Sequence, residues 1–168
     1  MRKQVPKMLL CLPFYKPESS VTISSSATFI ERQWQVPFAE EISYQSEPWQ
    51  EPHEYIRELC LFFHQQKEEL SVSYRHRQPQ EESLLKSKAL MLQCLFWINQ
   101  EPVNLVSLKE KINHFAVLPN NALERVIFVL ENNNYVSFLQ MCALFEELEK
   151  LNARIQVRNT LIKQRGRR

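Results

Sequence analysis

Cys60 and His64 stand four residues apart, and Glu110 and His114 repeat that spacing further along the chain. On a helix, residues four apart share a face. The first pair has the spacing of half a metal site, a thiolate beside an imidazole, and the second that of a carboxylate able to orient an imidazole base. Neither constellation is completed. A zinc site needs three or four ligands and no second close Cys/His pair exists. No E-x-x-H or H-E-x-x-H run supports di-iron or zinc hydrolytic chemistry. The bland readings are a core cysteine beside a surface histidine, and a surface pair on a solvated helix. The adjacent acids Glu81-Glu82 and Glu146-Glu147 likewise suit a solvated face or a first-turn dipole. No nucleophile has a base and an orienting group near it in sequence, so the expectation is a protein without catalytic, metal-binding or cofactor-binding residues and without a small-molecule substrate.

Charge is the second source of chemistry. Lys150, Arg154, Arg158, Lys163, Arg165, Arg167 and Arg168 follow the last glutamate, Glu149, leaving 14 bases against 19 glutamates in the first 149 residues, a net −5 in a chain whose total is +2. Lys150, Arg154 and Arg158 step by four and form one helical stripe, and Arg165-Gly166-Arg167-Arg168 extends it as a cluster. Such a stripe can contact phosphates without reading sequence. It also suits a helix carboxyl end, and it lacks interleaved aromatic residues for base stacking.

What is missing excludes more than what is present. The only glycine is Gly166, and every one of the 19 acidic residues is a glutamate. Phosphate-cradling loops need glycine for close backbone approach, which removes the P-loop and the dinucleotide-binding turn. Tight hairpins need it too, which argues against a β-rich fold. Without aspartate there is no EF-hand, aspartyl dyad or Ser-His-Asp triad. Cys11, Cys60, Cys94 and Cys142 are widely spaced and mostly within apolar runs, the usage of a reducing compartment. The amino-terminal run Met8-Leu9-Leu10-Cys11-Leu12 stops at Pro13 with no small-residue cleavage site, and no apolar run reaches the ~18 residues that span a bilayer. A cytoplasmic location without membrane association is expected.

These groups must be positioned by helices. Residues 1–50 hold five of the nine prolines and the aromatic residues Phe14, Tyr15, Phe29, Trp34, Phe38, Tyr44 and Trp49 without a helical period. So aromatic a segment is not disordered. It reads as an extended arm with Val21-Thr22-Ile23 as a short strand. From residue 51 the pattern is helical: one helix from about 52 to 74, and a second from Gln80 or Glu81 with apolar residues on most of its circumference, hence central. A third is capped by Asn104 or by the Ser107-x-x-Glu110 box, and a fourth starts after Pro119-Asn120. The Asn132-Asn133-Asn134 turn, whose residues tolerate left-handed backbone, leads to a last helix. There Met141, Leu148, Ile155, Ile162 and Leu144, Leu151 form two heptad rows until Arg158 breaks the second, so the helix is expected to leave the core near that point.

Leu95-Phe96-Trp97-Ile98-Asn99 with Pro102-Val103, Pro119-Asn120 with Glu124-Arg125, and Tyr135-Val136-Ser137-Phe138 leading to Leu144-Phe145 resemble the YpoC-like family of small proteins from Bacillus and its relatives. The resemblance covers roughly residues 50–150 and rests on packing and turn residues. It implies a helical fold with no assigned catalytic residue. It also implies genes neighbouring those of a base-excision endonuclease, a primosome component and a cell-wall synthase, which adds some weight to a nucleic-acid setting. Gln100-Glu101 stands where the family pattern has a glycine-containing turn.

The expectation is an all-α bundle of about five helices in three parts: an arm at 1–50, a helical domain at 51–158 and a basic tail at 159–168. The preferred role is a helical interaction protein of unknown protein partner, touching it through the arm and the last helix. Trp97, Leu151, Ile155 and Ile162 are its candidate surface. Trp97 is included because the buried row of its helix is complete without it, although the Phe96-Trp97 corner more often packs two helices together. The alternative role is nucleic-acid association through Lys150, Arg154, Arg158, Lys163, Arg165, Arg167 and Arg168.

Overall fold

The computed structural model describes residues 1–167. Strand β1 (Arg2–Gln4) pairs antiparallel with β2 (Ser20–Thr22), Lys3 opposite Val21, and a single 3-10 turn at Lys7–Leu9 lies between them. The strand expected near Val21 is present. The rest of the arm departs from the extended reading, because it contains two helices, α1 (Phe29–Gln35) and α2 (Ala39–Ser43). The α1 start is a full capping box: Thr28 Oγ1 accepts from Glu31 N at 3.3 Å and Glu31 Oε2 accepts from Thr28 N at 2.7 Å.

Five helices follow, as the periodicity requires: α3 (His53–Arg75), α4 (Glu81–Trp97), α5 (Leu108–His114), α6 (Ala122–Glu131) and α7 (Tyr135–Arg165). Every residue of α4 from Ser87 to Trp97 is buried, which makes it the axis of the bundle. It packs against α3 and α7, and those two meet through Phe63 and Phe145, stacked with ring centroids 3.8 Å apart and planes 10° apart. The arm closes the remaining side of α4. Leu9, Phe38, Ala39, Ile42 and Trp49 belong to the same buried cluster as Phe96 and Trp97, and Phe29 lies 6.2 Å from Trp97 between centroids. The arm therefore docks on its own chain. No packing gap separates residues 1–50 from the rest, and the boundary expected at 158 falls inside an unbroken α7.

Turn chemistry selects one of the two expected caps at α5 and differs from expectation at the asparagine turn. Asn104 Oδ1, not the Ser107 side chain, holds the entry to α5, accepting from Ser107 N at 2.9 Å. Left-handed backbone is absent from Asn132-Asn133-Asn134 and occurs instead at Gln100 (φ 59°) and Asn121 (φ 51°), as well as at Glu18, Phe38, Tyr44 and Arg77. Gln100 thus takes the conformation a glycine would take after α4. Within the asparagine run, Asn134 caps α7 through a 2.8 Å bond from Ser137 N.

Candidate functional site

The expected reactive pairs do not converge. Cys60 turns inward against Cys94, whose thiol burial and the neighbouring Cys60 push well above the ordinary value, whereas His64 reaches out to Glu149 at 2.9 Å. His114 Nδ1 donates to the backbone carbonyl of Glu110 at 2.7 Å and does not meet the Glu110 carboxylate. Glu82 pairs with Lys86 at 2.6 Å, Glu146 with Lys67 at 3.4 Å and Glu147 with Arg125 at 2.8 Å. These are surface pairs of small energetic worth.

Trp97 is fully buried, so its place on a partner surface is corrected: the arm covers it. Its Nε1 donates to Glu41 Oε1 at 2.8 Å, and Val103 N donates to the same oxygen at 3.3 Å. Gln93 Nε2 donates to Glu41 Oε2 at 3.0 Å and to Gln33 Oε1 at 2.7 Å. This polar knot ties α1 and α2 to α4. Burial raises the Glu41 pKa, against the opposing effect of the bonds from Gln93 and Trp97. Beside it Glu40, also buried, is held by Arg32 at 2.6 Å and by Ser46 Oγ at 2.9 Å. Two further buried polar groups brace α7, one at the turn before it and one at its middle. Lys88, its pKa lowered to about 8 by burial, donates to Asn132 O at 2.9 Å and Asn133 Oδ1 at 2.6 Å. Asn152 Oδ1 accepts from His53 Nδ1 at 2.7 Å while its amide donates to His53 O at 2.9 Å.

An apolar groove of about 490 Å³ lies between the Cys11–Phe14 turn, residues 105–110 and the end of α6, with Leu12, Phe14, Val106, Ile127 and Leu130 among its walls. Its ionisable groups, Cys11, Lys109, Glu110 and Glu131, are all exposed. The groove offers shape without a buried reactive group.

The longest helix, α7, is covered over only part of its length. Its 31 residues extend about 45 Å at the helical rise per residue. Met141, Leu144, Phe145, Leu148 and Asn152 bury one face, and Leu151 and Ile155 are half-buried at its margin. Past Ile155 the core ends: Val157, Leu161 and Ile162 are 61%, 51% and 60% exposed. The departure expected near Arg158 is therefore present. Lys150, Arg154, Arg158, Lys163, Arg165 and Arg167 are all exposed, while Arg168 lies outside the described residues. Lys150, Arg154, Arg158 and Arg165 share the outward side of the helix at 100° per residue, whereas Lys163 turns to a polar cleft beside His53 and Gln156. The outward side also carries a pattern that was missed. Val136, Leu139, Ala143, Glu146, Lys150, Ala153 and Val157 advance in alternating steps of three and four, a second heptad row opposite the buried one.

A family model described as YpoC-like protein matches residues 53–160, a span that runs from the first residue of α3 into the uncovered end of α7. No curated protein and no solved structure matches the chain.

Proposed function

The chain belongs to the YpoC-like family, and from that premise we propose that it is a non-catalytic cytoplasmic interaction protein that presents the outward side and free end of α7 to a protein partner. The observation that carries this reading is the exposure of Val157, Leu161 and Ile162 on a helix that continues without a break beyond the core it helps to build. An isolated helical end is marginal in water, and apolar residues placed along it favour a partner that covers them. Cytoplasmic location is consistent with Cys60, Cys94 and Cys142 as buried free thiols, and no helix among the described residues is long and apolar enough to cross a membrane. Most of the arm's aromatic anchors are used on its own body, Phe38 and Trp49 within the core and Phe14, Phe29 and Trp34 packed against it, which shifts the weight of this role to α7.

Truncation after Ile155 tests the proposal. The removed turns make only exposed polar contacts with the body, such as Gln156 to Glu54 and Asn159 to His53. The melting temperature is expected to stay within a few degrees, on the order of 1 kcal/mol, while proteins captured from a native lysate by the full chain are lost. Unchanged capture by the truncated chain would sink the reading.

A second reading is favoured by one observation. Among the described residues, Lys150, Arg154, Arg158 and Arg165 make no ion pair, so four bases on one side of α7 are available for phosphate. Titration with duplex DNA at two salt concentrations measures this. Binding through such contacts weakens with a log–log slope of about −0.9 for each phosphate neutralised. Absence of binding at low salt removes it.

A further inference from the structure

We propose that the outward face of α7 pairs antiparallel with the same face of a second copy of this chain, about a two-fold axis level with Leu148 along the helix. The inference rests on reading α7 as the contact element, and it names the partner. Its basis is that the outward heptad row is self-complementary when reversed. Leu139 and Val157 lie nine residues either side of Leu148, Ala143 and Ala153 five, and Glu146 and Lys150 two. Reversal therefore places Leu139 on the partner's Val157 and Ala143 on the partner's Ala153, while Glu146 faces the partner's Lys150 across the axis. Because the axis is two-fold, each of these pairs occurs twice.

Charge decides between this arrangement and its competitors. A parallel pairing would set Glu146 on the partner's Glu146 and Lys150 on the partner's Lys150, and a slip that centres the axis on Lys150 would bring two lysines together. Polar residues within a heptad seam fix orientation and register in this way. The alanines allow the two backbones to approach closely at the middle, and the apolar pairs close the seam toward its ends. From Val136 to Val157 the row is about 32 Å long, three heptads, the shortest length that defines such a seam. It is also open. Val136, Leu139, Ala153 and Val157 are exposed and Ala143 is half-buried, and the contact of Glu146 with Lys67 at 3.4 Å is long and half-exposed, hence easily redirected.

Cross-linking reads orientation and register together. In the full chain carrying Cys11→Ser, which removes the exposed native thiol, Ala143→Cys and Ala153→Cys are each prepared and then mixed under mild oxidation. A disulfide dimer is expected from the mixture and from neither alone, because in this register two copies of position 143 stand about 15 Å apart along the seam. Sedimentation of the unmodified chain should show concentration-dependent dimer. Leu139→Glu and Val157→Glu should each raise the dissociation constant about tenfold or more, with a melting curve unchanged at dilutions where every chain is monomeric. Glu146→Lys and Lys150→Glu should each weaken association and together restore it. Sedimentation as monomer throughout, or self-cross-linking of the Ala153→Cys chain as fast as the mixture, overturns the pairing. A monomer whose capture of other proteins is still lost with Val157→Glu overturns the self-pairing and leaves α7 as a contact element for a different partner.

Discussion

A chain beginning at Glu51 is expected to lose its cooperative unfolding transition. The arm places Leu9, Phe38, Ala39, Ile42 and Trp49 in the same buried cluster as α4. Each large apolar side chain among them contributes about 1.5–3 kcal/mol by burial. Removing four at once approaches the whole stability of an ordinary domain, about 5–15 kcal/mol. The loss is compounded on the other side of the interface, where Trp97 Nε1 and Val103 N lose Glu41 and the faces of Phe96 and Trp97 meet water. Far-ultraviolet circular dichroism should keep much of its helical signal while the near-ultraviolet signal collapses and a hydrophobic dye binds, the signature of collapse without fixed packing. A sharp melt within a few degrees of the intact chain would refute this.

The second large effect is at Glu41. Glu41→Ala is expected to cost about 2–5 kcal/mol, because it leaves Trp97 Nε1 and Val103 N buried without an acceptor. Glu41→Gln has the opposite sign at neutral pH. Its carbonyl oxygen keeps the bonds from Trp97 and Val103, and Gln93 and Gln33 can turn their amides over to accept the new donor. Gln93 Oε1 and Gln33 Nε2 have no partner already, so the exchange adds no further unsatisfied atom. The pH dependence follows from the direction of the shift. Burial raises the folded-state pKa of Glu41 above its unfolded value, so its favourable contribution is fully present below the unfolded pKa and is lost as pH rises through the folded one. Urea midpoints of the native chain and Glu41→Gln should therefore draw together in acid and separate toward neutrality, with Glu41→Gln the more stable. A Glu41→Gln chain less stable than the native one at neutral pH would show that the carboxylate is held by more than these bonds.

Helices α3, α4, α6 and α7 were legible because each carries enough turns for a 3.6-residue period to declare itself, whereas α5, at 7 residues, was legible because Asn104 and Ser107 signal its start; Pro119, Asn120 and Asn134 mark where elements end and begin. Helices α1 and α2, at 7 and 5 residues, are too short to show a period. The Thr28-x-x-Glu31 box, passed over in the sequence, was the signal that could have located the first of them. Glu41 was illegible for a different reason. A Glu-Glu pair in a polar stretch reads as solvated, and the groups that accept its burial come from Gln93 and from Trp97, 56 residues away. The position of Trp97 followed from the arm and not from its own helix, which is why periodicity alone left it open. The outward row of α7 was hidden by the stronger inward rows at Met141, Leu144, Leu148 and Leu151. One helix with two seams reads as one seam when the second is half charged.

The six left-handed positions, Glu18, Phe38, Tyr44, Arg77, Gln100 and Asn121, bear on the denatured ensemble as much as on the fold. Each strains its residue in the native state by about 1 kcal/mol. Glycine would relieve that strain, but it would also widen the range of conformations the unfolded chain explores, by an amount of similar size. A chain with no glycine before residue 166 is thus stiff when unfolded, and folding removes less backbone entropy from it than from a chain of ordinary composition. Part of what holds this bundle together lies outside the bundle, in the narrowness of the state it unfolds to.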